Sequence, residues 1–418
     1  MARFAFFNVP AHGHVNPTVP VVAELIRRGH AVVYYNAEEF RGPVERSGTD
    51  FRPYPVAGSS ASTLTDVAPN LANVSRWLLA ETRRLLPFAL GELDREEPDV
   101  VVFDAIALWG MQAARLRRLP SVASISTLIQ DGVKGSLTSR DTLRLLRQAL
   151  PAVPGLLRHR SALVRTYGKE VFPRREIFPA LGDVNVVYTS REFQPATPFI
   201  TETFRFVGPV LDPSLRVEVP FPWDWLSHGE GPGGKKRPVA YASLGTVYDR
   251  AADFYRQLFD AFSGHAARFV LSVGRHTDPA VLESAPANFL VRRSVPQLAL
   301  LEHADLFITH GGLNSVHEGL VHGVPLLVVP RQLEQVFNAR QVVAAVAGLM
   351  LGGDPPYGRT DRSRLLAAAD RLLSDASFGS NARRIGATLR AAGGSAAAAD
   401  AIEQLITGRP GPGLRQRS

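Results

Sequence analysis

The stretch from His310 to Gln335, HGGLNSVHEGLVHGVPLLVVPRQLEQ, concentrates more potential chemistry than any other part of the chain. The apolar run at 305–309 before it reads as a short buried strand. Gly311 and Gly312 then open a helical segment over 313–322. A strand, a glycine turn and a helix N-terminus together make an anion site, because backbone N–H groups and the helix dipole point at whatever sits there. Gly312 lets the backbone approach closely, and Asn314 and Ser315 add donors in the first turn. Glu318, one turn on, is placed to accept two hydroxyl protons from a ribose. Glu334 and Gln335, after the next apolar run at 326–329, offer the acceptor and donor that a sugar ring's hydroxyls need.

Two further groups of residues carry chemistry. Ser243-Leu-Gly245-Thr246 follows an apolar run, and hydroxyls flanking a glycine reach phosphate oxygens. Near the N-terminus, His12 and His14 lie in the loop Val-Pro-Ala-His-Gly-His-Val-Asn-Pro after the first apolar run, and Asp104 ends another. A neutral imidazole accepts a proton near its ordinary pKa, and a carboxylate on its other nitrogen fixes the tautomer and stabilises the imidazolium. From the residues alone, either histidine can be aimed inward.

The elements that must position these groups alternate between strand and helix. Strands are expected at 2–8, 31–35, 100–104, 121–125, 184–188 and 204–207, with helices at 18–28, 71–93, 106–117, 141–150 and 155–167 between them. The region 212–237, with four prolines and the run Gly-Glu-Gly-Pro-Gly-Gly, reads as a linker. Alternation then restarts, with strands at 239–243, 269–273 and 289–291 and a helix at 254–262. Helices at 335–345, 362–373, 378–392 and 397–406 follow the His310 stretch. The pattern predicts α/β units with parallel sheets, in which ligands lie beyond the carboxyl ends of strands. It is not a dinucleotide fingerprint, since no G-x-G-x-x-G follows the first strand.

The residues His310, Gly311, Gly312, Asn314, Ser315, Glu318, Gly323, Pro325, Pro330, Glu334 and Gln335 stand at the spacing of a known motif. The stretch resembles the donor-binding motif of family 1 glycosyltransferases, which include plant UDP-glycosyltransferases and bacterial macrolide and natural-product glucosyltransferases. The resemblance runs from the first strand to about residue 405. It implies the GT-B architecture, two Rossmann-like α/β domains facing across a cleft: an acceptor-binding domain at 1–211, the linker at 212–237 and a donor-binding domain at 238–394. It further implies a helix at 395–407 that packs back on the N-terminal domain, leaving 408–418 as a disordered tail. His14 and Asp104 match the family's catalytic pair. Ser243, Gly245 and Thr246 match its diphosphate loop, and Val295 and Gln297 its base-binding loop. Here Arg293-Ser294 precede Val295, where family members often carry an aromatic residue that stacks on the base. The nucleobase preference therefore stays open.

The implied activity is inverting transfer of a hexose, glucose in the first instance, from a UDP-sugar to a hydroxyl of a small apolar acceptor such as a macrolide, polyketide or flavonoid. A dTDP-deoxysugar donor is the alternative. Neither a cofactor nor a metal is expected: there is no Asp-x-Asp pair and no histidine cluster with metal spacing. The diphosphate is expected to be neutralised by His310, backbone N–H groups and the helix dipole. A non-catalytic nucleotide-sugar binder of the same fold need not keep His14 and Asp104. An epimerase wants a closed polar site, whereas 60–90 and 125–165 are apolar and irregular. A phosphorylase needs a lysine for pyridoxal phosphate, and no lysine lies beyond Lys236.

Composition narrows the partners. The net charge of +8 invites a nucleic-acid reading, but the basic residues are nearly all scattered arginines, which read as solvated surface. No apolar run is long enough to span a bilayer and no cleavable leader is evident, so a cytoplasmic protein without stable membrane insertion is expected. With no cysteine, disulfides and thiolate sites are excluded. Leu64, Trp77, Phe88, Trp109, Leu128, Ile129 and Val133 are candidate acceptor-wall residues. Both a monomer and a homodimer fit the sequence.

Overall fold

The computed structural model describes residues 1–55, 71–130, 147, 149–172, 179–215, 219–227, 237–245, 252–274, 285–354 and 357–407. Leu64, Val133, Thr246, most of the expected 141–150 helix and the 408–418 tail lie outside these residues. The chain divides into two compact units. One comprises Met1–Ser190, Pro195–Leu215 and the chain from Ala392 onward, and the other Arg191–Gln194 and Arg216–Ala391.

The first unit is built on a seven-stranded sheet in the order β3-β2-β1-β4-β5-β6-β7, with every pair parallel. Its strands are β1 (Arg3–Phe7), β2 (Ala31–Asn36), β3 (Asp50–Pro53), β4 (Val100–Asp104), β5 (Ser121–Ile125), β6 (Val184–Val187) and β7 (Phe204–Phe206). Strand residues alternate between two cores. Ala5, Phe7, Val33, Tyr35, Val101 and Phe103 face one side; Phe4, Phe6, Val32, Tyr34, Val100 and Val102 face the other. Cover on both faces explains why these strands are apolar almost throughout. Helices α1 (His12–Arg27), α2 (Arg41–Glu45), α3 (Leu71–Glu96), α4 (Leu108–Arg117) and α5 (Val153–Tyr167) supply much of that cover.

The second unit carries a six-stranded parallel sheet in the order β10-β9-β8-β11-β12-β13. The strands are β8 (Val239–Ser243), β9 (Arg268–Ser272), β10 (Phe289–Arg292), β11 (Leu306–Thr309), β12 (Leu326–Val328) and β13 (Gly348–Met350). Its helices are α6 (Asp224–Ser227), α7 (Ala252–Phe262), α8 (Gln297–Leu301), α9 (Leu313–Val321), α10 (Leu333–Ala344), α11 (Arg362–Ser374) and α12 (Ala376–Ala391).

The last helix, α13 (Gly394–Thr407), belongs to the first unit. Ala398, Ala399, Ala401 and Ile402 enter the same core as Val19 and Val22 of α1. Arg28 ties it down through Asp400 at 2.6 Å and Glu403 at 2.7 Å.

Several elements depart from the sequence expectation. α1 begins at His12 rather than at Thr18 and carries Pro17 and Pro20 inside it. The buried stripe Val15, Val19, Val22 and Leu25 runs unbroken through both prolines, and its burial outweighs the lost backbone bonds. β3 and β13 were not expected. Both are edge strands of three or four residues, with Asp50 and Pro53 in one and Gly348 in the other. Part of the expected linker folds onto the second unit: Leu226 is buried, and the Arg268 guanidinium stands 4.9 Å over the Trp225 ring.

Candidate functional site

Each sheet reverses its strand order once, at β1/β4 in the first unit and at β8/β11 in the second. In open parallel sheets the crevice beyond the carboxyl ends at such a reversal is where ligands bind. His14 and Asp104 fall at the first of these places, and Ser243 and His310 at the second.

In the first unit, His14 stands in the first turn of α1, directly after β1, and Asp104 is the last residue of β4. His14 Nδ1 lies 2.8 Å from Asp104 Oδ2. Asp104 is buried and receives the Ile106 N–H on its other oxygen at 3.0 Å. His14 keeps 18% of its side chain exposed. Ser126, the residue after β5, brings its Oγ to 3.0 Å from the same Nδ1. A carboxylate only accepts, so Nδ1 carries the proton and shares it between Asp104 and Ser126. That leaves Nε2 as the basic nitrogen. Asn8 secures the turn from beneath, with Nδ2 donating to the His14 carbonyl at 3.0 Å and to the Tyr34 hydroxyl at 2.8 Å. His12 is exposed and lies edge-on to Phe40, with ring centroids 5.0 Å apart.

In the second unit, His310 follows β11 and is buried between two glycines. A Cβ on Gly245 would lie 2.7 Å from its Cε1, and one on Gly312 2.6 Å from its Nε2. Gly245 also has φ +77°, which a side chain resists. Ser243 Oγ accepts the Gly245 N–H at 3.3 Å. Burial pulls the His310 pKa down to about 4, with Arg331 adding to the effect and a bond to the Ser243 backbone opposing it. The imidazole is therefore neutral, and it offers a hydrogen bond to an anion rather than the charge expected from sequence. Gly312 is the N-cap of α9, with Asn314 and Ser315 half-buried in the first turn.

Glu318 is buried on α9, and its carboxylate accepts a bond from Gln297 Nε2. The Tyr241 hydroxyl donates to Gln297 Oε1 at 2.7 Å, so Gln297 is held from both ends. Val295 is buried just ahead of it. Glu334 and Gln335 open α10. Asn338 Nδ2 donates to Glu334 Oε1 at 2.8 Å and to the Gly311 carbonyl at 2.9 Å, tying the two parts of the motif together. Gln335 is buried, and its Oε1 accepts the Arg331 N–H at 2.8 Å.

Of the expected acceptor wall, Leu64 and Val133 lie outside the described residues, and four of the other five are packed in the first unit. Trp109 is buried, its Nε1 donates to the Tyr54 hydroxyl at 3.0 Å, and Phe88 packs edge-on to Tyr35 and Tyr54. Ile129 belongs to the same core, and Leu128 is buried as well. These four serve packing, as large apolar side chains beside a two-faced sheet ordinarily do. Trp77 lines an open cavity. Sequence reading missed Ser126, Tyr241 and Asn338. The one signal for them was position: Ser126 ends a strand beside Asp104's strand, Tyr241 lies in β8, and Asn338 stands one helical turn after Glu334.

The model of the family described as "UDP-glucoronosyl and UDP-glucosyl transferase" matches residues 224–389, which hold the whole second-unit site. Over 405 residues the chain is 31% identical to the NDP-glycosyltransferase YjiC of Bacillus subtilis (strain 168), covering 97% of each. The chain belongs to this glycosyltransferase family. Another relative, the demethyllactenocin mycarosyltransferase of Streptomyces fradiae, is 30% identical and shares 97% of this chain and 87% of its own length. Among solved structures, the glycosyltransferase of kitacinnamycin superposes with a TM-score of 0.77 at 28% identity, covering 97% of this chain and 98% of its own. The fold is GT-B, and the chain is a family 1 glycosyltransferase of the bacterial natural-product type. Among the described residues, no helix is long and apolar enough to cross a membrane.

Proposed function

We propose that this glycosyltransferase moves a hexose from a UDP-sugar to a hydroxyl of a small apolar acceptor, with inversion and without a metal. The observation that carries the reading is the 2.8 Å contact between His14 Nδ1 and Asp104 Oδ2 at a strand-order reversal. With Nδ1 committed to the carboxylate, Nε2 takes the acceptor's proton as its oxygen attacks the anomeric carbon. Asp104 then stabilises the imidazolium. The leaving nucleoside diphosphate is met by Ser243, the backbone at Gly245, the first turn of α9 and the neutral His310. Glu318 receives the ribose hydroxyls, Val295 and Gln297 the base, and Glu334 with Gln335 the hexose.

The match to the UDP-glucoronosyl and UDP-glucosyl transferase family supports a UDP-sugar. The relative named as a mycarosyltransferase favours the second reading, a dTDP-deoxysugar donor. Incubation with UDP-glucose and a panel of macrolides, flavonoids and simple phenols, with products read by mass spectrometry, tests the proposal. A mass gain of one hexose on any acceptor supports it. Release of UDP with no glycosylated product across the panel counts against these acceptor classes.

A further inference from the structure

Helices α3 and α5 pack together in the first unit and line an open cleft of about 300 Å³. Asn73, Arg76 and Trp77 line it from the second helix turn of α3, and Arg158 and His159 from that of α5. Arg83, two turns further along α3, donates to His159 Nδ1 at 3.2 Å. The His159 pKa is lowered by burial and by the charges of Arg83, Arg158 and Arg76, so a neutral ring sits among three guanidiniums. Arg84 on the same helix pairs with Glu81 at 2.9 Å. Among the described residues, however, no carboxylate forms an ion pair with Arg76, Arg83 or Arg158.

Three exposed guanidiniums around one cleft make a local cationic patch. The Arg76 stem lies against α5 at Gly155. A Cβ on Gly155 would lie 2.7 Å from Arg76 Cδ, so the absence of a side chain there is what admits the arginine stem. The location is also informative. α3 and α5 follow β3 and β5 of the sheet whose β1 and β4 lead to His14 and Asp104.

We propose that this cleft binds the anionic group of an aromatic acceptor, a carboxylate or a phosphate ester, with Trp77 against the ring and Arg76 and Arg158 on the anion. Guanidinium pairs recognise both anions bidentately, and an indole beside them offers an apolar face. The inference rests on the glycosyl-transfer reading for the ligand's role as acceptor. It narrows the class from small apolar molecules to amphiphilic organic anions.

The test uses the full chain and three probes: 4-hydroxycinnamate, its methyl ester and phenyl phosphate. Calorimetric titration without donor reads binding independently of catalysis. The acid is expected to bind about tenfold or more tighter than the ester. Arg76→Ala and Arg158→Ala, both at exposed positions, are expected to remove that preference, while Arg76→Lys retains part of it. Preference for phenyl phosphate over the acid assigns the anion as phosphate, and the reverse assigns it as carboxylate. In turnover with UDP-glucose, the same alanine variants are expected to raise KM for the acid about tenfold, leaving kcat and the ester's KM unchanged. Equal binding of acid and ester by the unmodified chain, or unaltered binding of the acid by both alanine variants, overturns the inference. If no probe is glycosylated but the arginine-dependent preference persists, the acceptor reading fails and the anion site stands.

Discussion

Gly312 stands against His310 so closely that a Cβ on it would lie 2.6 Å from the imidazole Nε2. The glycine that caps α9 therefore also keeps the space that the histidine occupies. Gly312→Ala is expected to displace His310 without unfolding the unit and to weaken UDP binding by roughly ten- to hundredfold, the equivalent of about 1–3 kcal/mol of overpacking. Calorimetry with UDP, alongside circular dichroism to confirm the fold, checks this. Undiminished UDP affinity would remove His310 from the diphosphate site.

Two buried histidines are expected to make the second unit acid-labile. His310 has its pKa lowered from 6.5 to about 4, and burial lowers that of His317 from 6.5 to about 3. Between those values and 6.5 the unfolded chain binds protons that the folded chain refuses. Their contribution to stability is complete above pH 6.5 and declines as the pH falls below it. Each histidine adds a slope of about 1.4 kcal/mol per pH unit. Urea unfolding of the second unit between pH 6.5 and 5 reads the slope, and His317→Gln is expected to reduce it by about one proton's worth. A flat profile over this window would show that the histidines are not held neutral.

On the proposed reading, donor choice is expected to turn on Glu334 and Gln335. A carboxylate paired with an amide suits adjacent hydroxyls of a hexose, whereas a deoxysugar leaves part of that site without a partner, at a cost of about 1–3 kcal/mol. UDP-glucose is therefore expected to outcompete a dTDP-deoxyhexose, and Glu334→Ala to narrow the gap. Asn338, which holds Glu334 Oε1 at 2.8 Å, is expected to matter to the same measurement. Preferred use of the deoxysugar, or indifference of glucose transfer to the loss of Glu334, would reverse the assignment.

Much of this was legible in the sequence because strand ends are. The apolar runs before His14, Ser243 and His310, and the one that Asp104 closes, place these residues at carboxyl edges without knowledge of the fold. What remained hidden depends on which strands are neighbours. Ser126 meets His14 because β5 pairs with β4, setting Ser124 beside Asp104. Tyr241 reaches Gln297 from a strand whose residues otherwise read as core. Of the acceptor-wall candidates, Trp109 and Phe88 have the size and apolarity of ligand-binding residues, but so has any core aromatic. Only burial distinguishes the two.

If the diphosphate is stabilised by backbone N–H groups, the α9 N-terminus and His310, activity should survive excess EDTA. Product formation with and without chelator measures this. Loss of activity that magnesium restores would contradict a metal-free mechanism.

The most direct measurement is turnover of His14→Ala, with UDP affinity determined on the same preparation. His14 and Asp104 belong to the first unit and the residues proposed for the diphosphate to the second, so the two properties should separate. Loss of the base is expected to lower kcat by about 10²–10⁴-fold with UDP binding nearly unchanged. Retention of more than about a tenth of the unmodified turnover would show that His14 is not the base.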